Sequence, residues 1–508
     1  MRSPAGRMVV LLAAALGLAG CAVGPDYQRP LLPVPAQWSQ IGRATTSRPP
    51  ELSAWWERLD DPLLDALIAE AVSGNLDVRT AKAKIREARA SYREAVGTLL
   101  PTVDGSASYT RAKSGSNVSS GGDVTVKGPF DQYQSGFDAS WEVDLFGANR
   151  RSVEAAKYGM DAADEELRNT LLTLVGDIAE NYVMARGYQA RIALAQRTAR
   201  SQRDTAGLTR TKFNEGEASG LDVANSEGQA ASTEANIPAL RTAYAESVHR
   251  LGVLLGLSPG ALAERMKAGK PIPSPPLPVP TGIPADILLA RPDVRLAERQ
   301  LAQQTARVGQ AQAQRYPSVS LTGGISTSGV EIGDLAENST ISWSFGPSLS
   351  VPVFNGGELK AALDAAKAVR DQTYLAYFSS VLTALEDVEN AVVALGQDRI
   401  RRQKLAASVA SYRKAASLSR SLYQTGASSF LDVLDAERSL YSAEDSLIQS
   451  RVDIATDYIA LNKALGGGWN GTLDVTTPEV VDVNDGPRLA VPLLPAAKPQ
   501  PEPAPQAA

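Results

Sequence analysis

The chain of 508 residues is short of almost everything that catalysis needs. It has one histidine, His249, with no cysteine or acidic cluster beside it in sequence, so it reads as an ordinary helix-surface residue rather than a general base. There is one cysteine, Cys21, so no disulfide framework exists. The five methionines form no cluster suited to copper, and no nucleotide loop or metal-ligand spacing appears. Charged residues are interspersed and sum to only −5, which leaves no basic face for nucleic acid. Aromatics are 6% of the chain, while alanine and glycine abound, a composition suited to close packing of long helices rather than to a bulky core. No enzyme and no cofactor are expected; the function should be passive, with energy supplied by a partner.

Proline is missing from Gly357 to Leu422, and apolar or small residues (Leu359, Leu363, Ala366, Leu385, Val388, Val392, Leu395) return every three or four positions. One unbroken helix of about 65 residues is implied, roughly 100 Å long. Gly426 permits a reversal, Ser428 and Ser429 are N-cap candidates, and a second helix runs from about Phe430 to Leu465. This hairpin occurs twice. Phe213 to Val223 lies over Tyr423 to Val433 without a gap, and Asp77-Val78-Arg79 to Pro101 matches Asp293-Val294-Arg295 to Pro317, so the chain is two copies of a unit of about 210 residues.

The first residues read as a secretory signal, 1–20, with Arg2 and Arg7 ahead of an apolar stretch too short to span a membrane, ending at Leu18-Ala19-Gly20-Cys21. An extended, proline-rich strap occupies 21–60, with Trp55-Trp56 as buried anchors where it meets the body. Repeat 1 follows over 61–256, a proline-rich linker over 257–282, repeat 2 over 283–468, and a disordered tail over 469–508.

Each repeat also holds a stretch where the period changes to two. Strands are expected at about 101–112 and 134–145, and at about 317–328 and 340–353, each pair joined by a Gly/Ser-rich outward loop. Trp141, Trp343, Phe137 and Phe345 share the apolar face; Asp138, Glu142 and serines share the other. Strands of about ten residues suit a tilted crossing of a bilayer, although the same alternation fits a half-buried soluble hairpin. If they cross lipid, four strands leave two open edges that only a closed barrel satisfies. Two chains give eight strands, filled by side chains; three give twelve and room for a lumen. The helix lengths agree with this: two short rods stacked end to end nearly equal one long rod, so a trimer would continue its barrel as a hollow helical cylinder.

Leu431 and Asp435 are four apart and share one helix face. If it points inward, threefold symmetry makes a leucine ring beside a carboxylate ring, in which the charges raise one another's pKa and attract cations. Asp432 would reinforce that ring or pair with a neighbour; the alternative is that these acids lie on a solvated helix start, where the dipole favours them.

Together, Leu18-Ala19-Gly20-Cys21, Gly24-Pro25-Asp26-Tyr27-Gln28-Arg29-Pro30, Arg291-Pro292-Asp293-Val294-Arg295 leading to Tyr316-Pro317, Val353-Phe354-Asn355-Gly356-Gly357, and Leu465-Gly466-Gly467-Gly468-Trp469 resemble the outer membrane factor family. The nearest likeness is to its NodT-type lipoproteins similar to OprM, and more distantly to TolC; it covers nearly the whole chain. The resemblance implies an α+β membrane protein: a homotrimer with a 12-stranded transmembrane β-barrel continuing into a periplasmic α-helical barrel. It implies an exit duct for drugs or other small molecules in the outer membrane of a Gram-negative bacterium, docked with a periplasmic adaptor and an inner-membrane pump of the resistance-nodulation-division type. Cys21 would carry diacylglycerol and an N-acyl chain, and Ala22 after it points to the outer membrane. Leu431 and Asp435 match the closed periplasmic aperture, and Tyr423 the tyrosine that tethers neighbouring hairpins, although Gln424 stands where relatives often carry Arg. Gly216, Ala218 and Ser219, with Gly426 and Ser428, match the adaptor-contact tips. The same duct could serve type I protein secretion, and a structural lipoprotein spanning the periplasm is the other alternative.

Overall fold

The computed structural model describes residues 22–32, 52–113, 129–276 and 285–469. Cys21 and the signal lie outside the described residues, as do 470–508 of the tail and most of the first outward loop.

Eight helices and four strands carry the fold of the described residues. In chain order they are α1 (Pro62–Gly74), α2 (Leu76–Gly97), β1 (Thr102–Ala112), β2 (Phe130–Val143), α3 (Ala148–Asn214), α4 (Gly220–Leu254), the single turn α5 (Ala263–Met266), α6 (Pro292–Ala313), β3 (Ser318–Gly329), β4 (Ile341–Ser350), α7 (Glu358–Gln424) and α8 (Phe430–Ala464). The two long helices, α3 and α7, have 67 residues each, about 100 Å at the α-helical rise. Among the described residues no helix is long and apolar enough to cross a membrane.

The strands form one antiparallel sheet in the order β1-β2-β3-β4. Register sorts the side chains because successive residues point to opposite faces. Phe137 lies opposite Gly105 and Ile325, Trp141 opposite Leu321, and Trp343 opposite Ile325, all on one face. Asp138 lies opposite Asp104 and Gly324 on the other, where Ser326 and Ser342 share a 3.1 Å hydrogen bond. Trp343 and Phe345 are 78% and 72% exposed, which is untenable in water and natural in hydrocarbon. The strand boundaries depart most from expectation at the start of β2 and the end of β4. β2 starts at Phe130 rather than near residue 134, because each residue from Phe130 to Ser140 has a partner on β1, beginning with Ala112 opposite Phe130. β4 stops at Ser350 rather than 353, because its partner β3 begins at Ser318 opposite it.

In each repeat the two shorter rods stack end to end, 22 and 35 residues in both copies. One side chain makes each joint. Asn75 accepts the α2 amides of Asp77 and Val78 at 2.8 and 3.0 Å, and donates through Nδ2 to the Leu254 carbonyl ending α4, at 2.8 Å. Arg291 holds the matching place in repeat 2, donating to the Ala464 carbonyl ending α8 at 2.7 Å while pairing with Asp293 and Asp387. Orphan carbonyls at a helix end need a donor, and here the next helix supplies it.

The main core gathers where the first joint meets the middle of α3, and a second core packs the other joint against α7. Trp55 and Trp56, in a 3-10 turn, are buried at an edge-to-face contact of 6.0 Å, and Trp55 meets Tyr458 in the same way. The stretch expected as an inter-repeat linker joins this core: Leu262 and Met266 are fully buried, and Arg186 and Gln189 donate to the Ala268 and Met266 carbonyls at 2.8 and 2.6 Å. Apolar residues between the prolines reach the core, so only residues 277–284 of that stretch lie outside the described structure. Trp469, assigned from sequence to the tail, lies under the Arg168 guanidinium at 5.2 Å.

The strap lies against α3 and α6. Tyr27 donates to Glu298 at 2.6 Å and meets Tyr158 edge-on at 5.9 Å, while Arg151 pairs with Asp26 at 2.7 Å. Gly24, at φ +97°, passes so close to Gly309 that an added Cβ would stand 2.5 Å from its Cα. Gly24→Val should lift the strap and speed its cleavage by a protease, while the melting temperature of the helical body changes little; unchanged cleavage would show that the contact does not hold the strap.

Candidate functional site: the hairpin tips

At each tip the chain reverses through a left-handed glycine. Gly426 has φ +76°, its amide meets the Tyr423 carbonyl at 3.1 Å, and Ala427 N meets the Leu422 carbonyl at 2.8 Å. Gly216, at φ +82°, repeats this with Phe213 and, through Glu217 N, with Lys212, at 3.0 and 2.7 Å. These pairs of bonds close off helix C-terminal carbonyls, and a residue with a Cβ would be strained there. The following helix opens with a capping box in both copies, Ser219 with Asp222 and Ser429 with Asp432. Ser428, the other N-cap candidate, caps nothing, and its Oγ is enclosed without a partner.

This geometry separates the two aspartates of the expected gate. Asp432 is engaged in its own helix start: its Oδ2 accepts from Ser429 N at 3.1 Å and Ser429 Oγ at 2.9 Å. Among the described residues of this one chain it makes no ion pair. Asp435 is exposed and makes no hydrogen bond or ion pair within the described residues. Leu431 is 66% exposed one turn before it, although Val433 between them is fully buried. Leu431 and Asp435 therefore form one outward stripe. In repeat 1 the matching residues are Leu221, 69% exposed, and the neutral Asn225.

Tyr423 is buried between the hairpins. Its ring packs edge-on against Phe430 at 5.8 Å and lies under Lys212 Nζ at 5.6 Å, and its hydroxyl donates to Thr209 Oγ1 on α3 at 3.2 Å. It thus ties the tip of repeat 2 to repeat 1 inside one chain, and Gln424 beside it is exposed. The tip residues Gly216, Ser219 and Gly426 are exposed, and Ala218 and Ser428 half-buried.

Further ties between hairpins lie above the tip. Glu437 is buried and accepts from Arg420 at 2.6 Å and from Thr205 on α3 at 3.2 Å. Arg191 on α3 grips both oxygens of Asp445 at 2.8 and 3.0 Å. Sequence reasoning passed over these residues, although the repeat carried a signal. Arg210 pairs with Glu227 as Arg420 does with Glu437, and Arg203 with Glu234 as Arg413 does with Glu444.

A lipid-compatible sheet above paired 67-residue helices that reverse at capped tips defines a subunit of an outer-membrane channel with a periplasmic extension. Residues 67–257 and 283–467 match the model of the outer membrane efflux proteins, and the chain belongs to that family. The two matched segments are the two repeats. Nodulation protein T of Rhizobium leguminosarum bv. trifolii is 38% identical over 461 residues, covering 89% of this chain and 96% of the relative. The toluene efflux pump outer membrane protein TtgI of Pseudomonas putida is 33% identical over 464 residues, covering 90% and 97%. The solved outer-membrane channel OprN superposes with a TM-score of 0.83 at 33% identity, covering 88% of this chain and all of its own. The protein is an outer-membrane component of an efflux system and a channel rather than an enzyme.

Tyr423→Phe removes one buried hydrogen bond and should loosen the tip by about 0.5–1.5 kcal/mol. Hydrogen exchange of the amides around 205–215 and 420–430 should accelerate correspondingly; exchange at the wild-type rate would show that the Thr209 contact does not hold the hairpins together.

Proposed function

We propose that three copies assemble into a duct that passes small organic molecules from an inner-membrane proton-driven pump and its periplasmic adaptor to the outside. The observation that carries this is the sheet: one apolar and one polar face, with the outer edges of β1 and β4 unpaired. In hydrocarbon those edges require partners, and a closed ring of twelve strands supplies them while leaving a lumen for the Asp138 and serine face. The helices call for the same closure. Leu375, Leu382, Ile400 and Leu418 on α7 are exposed, and a neighbouring subunit would cover them. The name of the toluene-pump relative supports small organic cargo, with selection left to the pump.

In this duct the Leu431 and Asp435 stripe of each copy turns inward, so that the leucines close the periplasmic end and the carboxylates form a cation-attracting ring. Asp432 maintains the helix start behind it. Gly216, Ala218, Ser219, Gly426 and Ser428 form small-residue surfaces for the adaptor's hairpins. The anchor fits the strap. Val23 N bonds the Phe146 carbonyl at 3.1 Å, between the end of β2 at Val143 and the start of α3 at Ala148. Residue 22 therefore sits where membrane sheet gives way to periplasmic helix, and acyl chains on Cys21 would enter the inner leaflet there.

Leu431→Ser combined with Asp435→Ser should raise single-channel conductance severalfold in planar bilayers; conductance at the wild-type level would remove the gate. Cys21→Ser should abolish the acyl mass of the mature protein, and an unchanged mass would refute lipidation. In cells, deletion should sensitise the host to solvents or antibiotics, with complementation restoring tolerance.

A further inference from the structure

α3 and α7 have the same length, as do α4 and α8, so each residue of the first hairpin has a counterpart 210 positions further on; Ala148 and Glu358 open the long helices, Gly220 and Phe430 the shorter ones. Exposure does not follow this symmetry. Leu382, Val393 and Leu422 are exposed on α7, whereas their counterparts Leu172, Val183 and Lys212 are buried on α3. α3 has the α2–α4 rod on one flank and the α6–α8 rod on the other, while α7 has the α6–α8 rod on one flank and nothing packed along the other among the described residues. A closed ring of copies completes the pattern: the α2–α4 rod of the next copy takes on α7 the place that the α6–α8 rod takes on α3.

Within the chain, that seam is tied by four polar contacts: Tyr423 with Thr209, Glu437 with Thr205, Asp445 with Arg191 and Lys463 with Asp177. Moved by one repeat, they become Phe213 with Ser419, Glu227 with Ala415, Ala235 with Arg401 and Val253 with Asp387. Each has lost a polar partner. The charged groups that remain are paired inside their own chain, Glu227 with Arg210, Arg401 with Asp453 and Asp387 with Arg291. Ser419 Oγ likewise donates to the Ala416 carbonyl at 3.3 Å. At the tip apolar groups take over. Phe213 is 47% exposed where its counterpart Tyr423 is buried, and Gly220, in the place of Phe430, leaves its ring uncovered. Leu418 and Leu422 are both exposed; they stand in the places of Leu208, packed on the Tyr423 cluster, and Lys212, above the Tyr423 ring.

We infer that Phe213 is the wedge of the seam between copies at the tip, seated between Leu418 and Leu422 of the next copy as Tyr423 is seated between Leu208 and Lys212 within the chain. This rests on the reading of three copies closing a ring. Polar ties hold the two hairpins of each copy together, and at the tip apolar contact joins one copy to the next. Burying an exposed phenylalanine against two exposed leucines removes from water a surface that a single chain cannot hide.

The test is cross-linking of the full-length protein in membranes with a short bismaleimide, read by denaturing electrophoresis beside the native mass in detergent. Phe213→Cys combined with Leu422→Cys should give a covalent ladder up to three chain masses, while wild type and either single variant stay at one. Lys212→Cys combined with Tyr423→Cys should link within a chain and also stay at one. A native mass of three chains without the ladder overturns the seam and leaves the ring standing, whereas a native mass of one chain refutes the ring itself and the seam with it. A ladder from the Lys212→Cys and Tyr423→Cys pair puts Tyr423 between copies and overturns the assignment. A second comparison needs no added thiol. Phe213→Ala should lower the temperature at which the trimer comes apart in dodecyl sulfate, and Leu221→Ala should not, because its counterpart Leu431 stays exposed with the within-chain seam formed. An equal fall for both, or none for Phe213→Ala, overturns the wedge.

Discussion

The unpaired backbone at the two margins of the β1–β4 sheet governs the rest of the molecule. In water those N–H and C=O groups would find partners; in hydrocarbon each missing bond costs several kcal/mol. The demand passes down into the helices, because each strand continues into or out of one of them. Strand order therefore sets the order α2, α3, α6, α7 beneath the sheet, and the flanks of that helical wall are open at the same two ends. The exposed leucines on α7 and the exposed aromatics of the sheet are one unmet requirement expressed in two solvents.

Below the sheet, the structural task is to make rods far longer than any compact core could support. The chain does so by halving the problem. α3 and α7 run uninterrupted, while each companion rod is built from two helices whose joint is closed by a single polar side chain, Asn75 in one copy and Arg291 in the other. The arginine does more, since it also binds Asp293 and Asp387, and the second repeat thereby ties three elements at its joint where the first ties two. The tips show a similar divergence: Lys212 and Glu217 make the first turn an ion-paired one, where Leu422 and Ala427 make the second apolar and small. Duplication supplied the geometry, and later substitution distributed the chemistry, placing the unpaired acid Asp435 on only one of the two hairpins.

Much of this was written along the chain in local terms. The helical spans, the glycine reversals, the repeat and the alternating strands are consequences of neighbours three, four or two residues apart, and such periodicities survive without any knowledge of the fold. Boundaries were less legible where pairing decides them: β2 extends to Phe130 because β1 is there to receive it, which no pattern within β2 reveals. The proline-rich stretch after residue 256 reads as a tether by composition, yet Leu262 and Met266 between the prolines find a core to enter.

The candidate site at the tip divides in the same way. Sequence by itself determined that Leu431 and Asp435 share a face and that Ser428 or Ser429 stands where a helix must be capped, because helical spacing and the chemistry of a free amide are local facts. Only the tertiary structure decided that Ser429 is the cap, that Asp432 is spent on it, and that Tyr423 reaches Thr209 some two hundred residues away. Those outcomes depend on which helices lie side by side and in what register, and register between helices is set by the packing of whole faces, to which no single residue's neighbours in the chain give access.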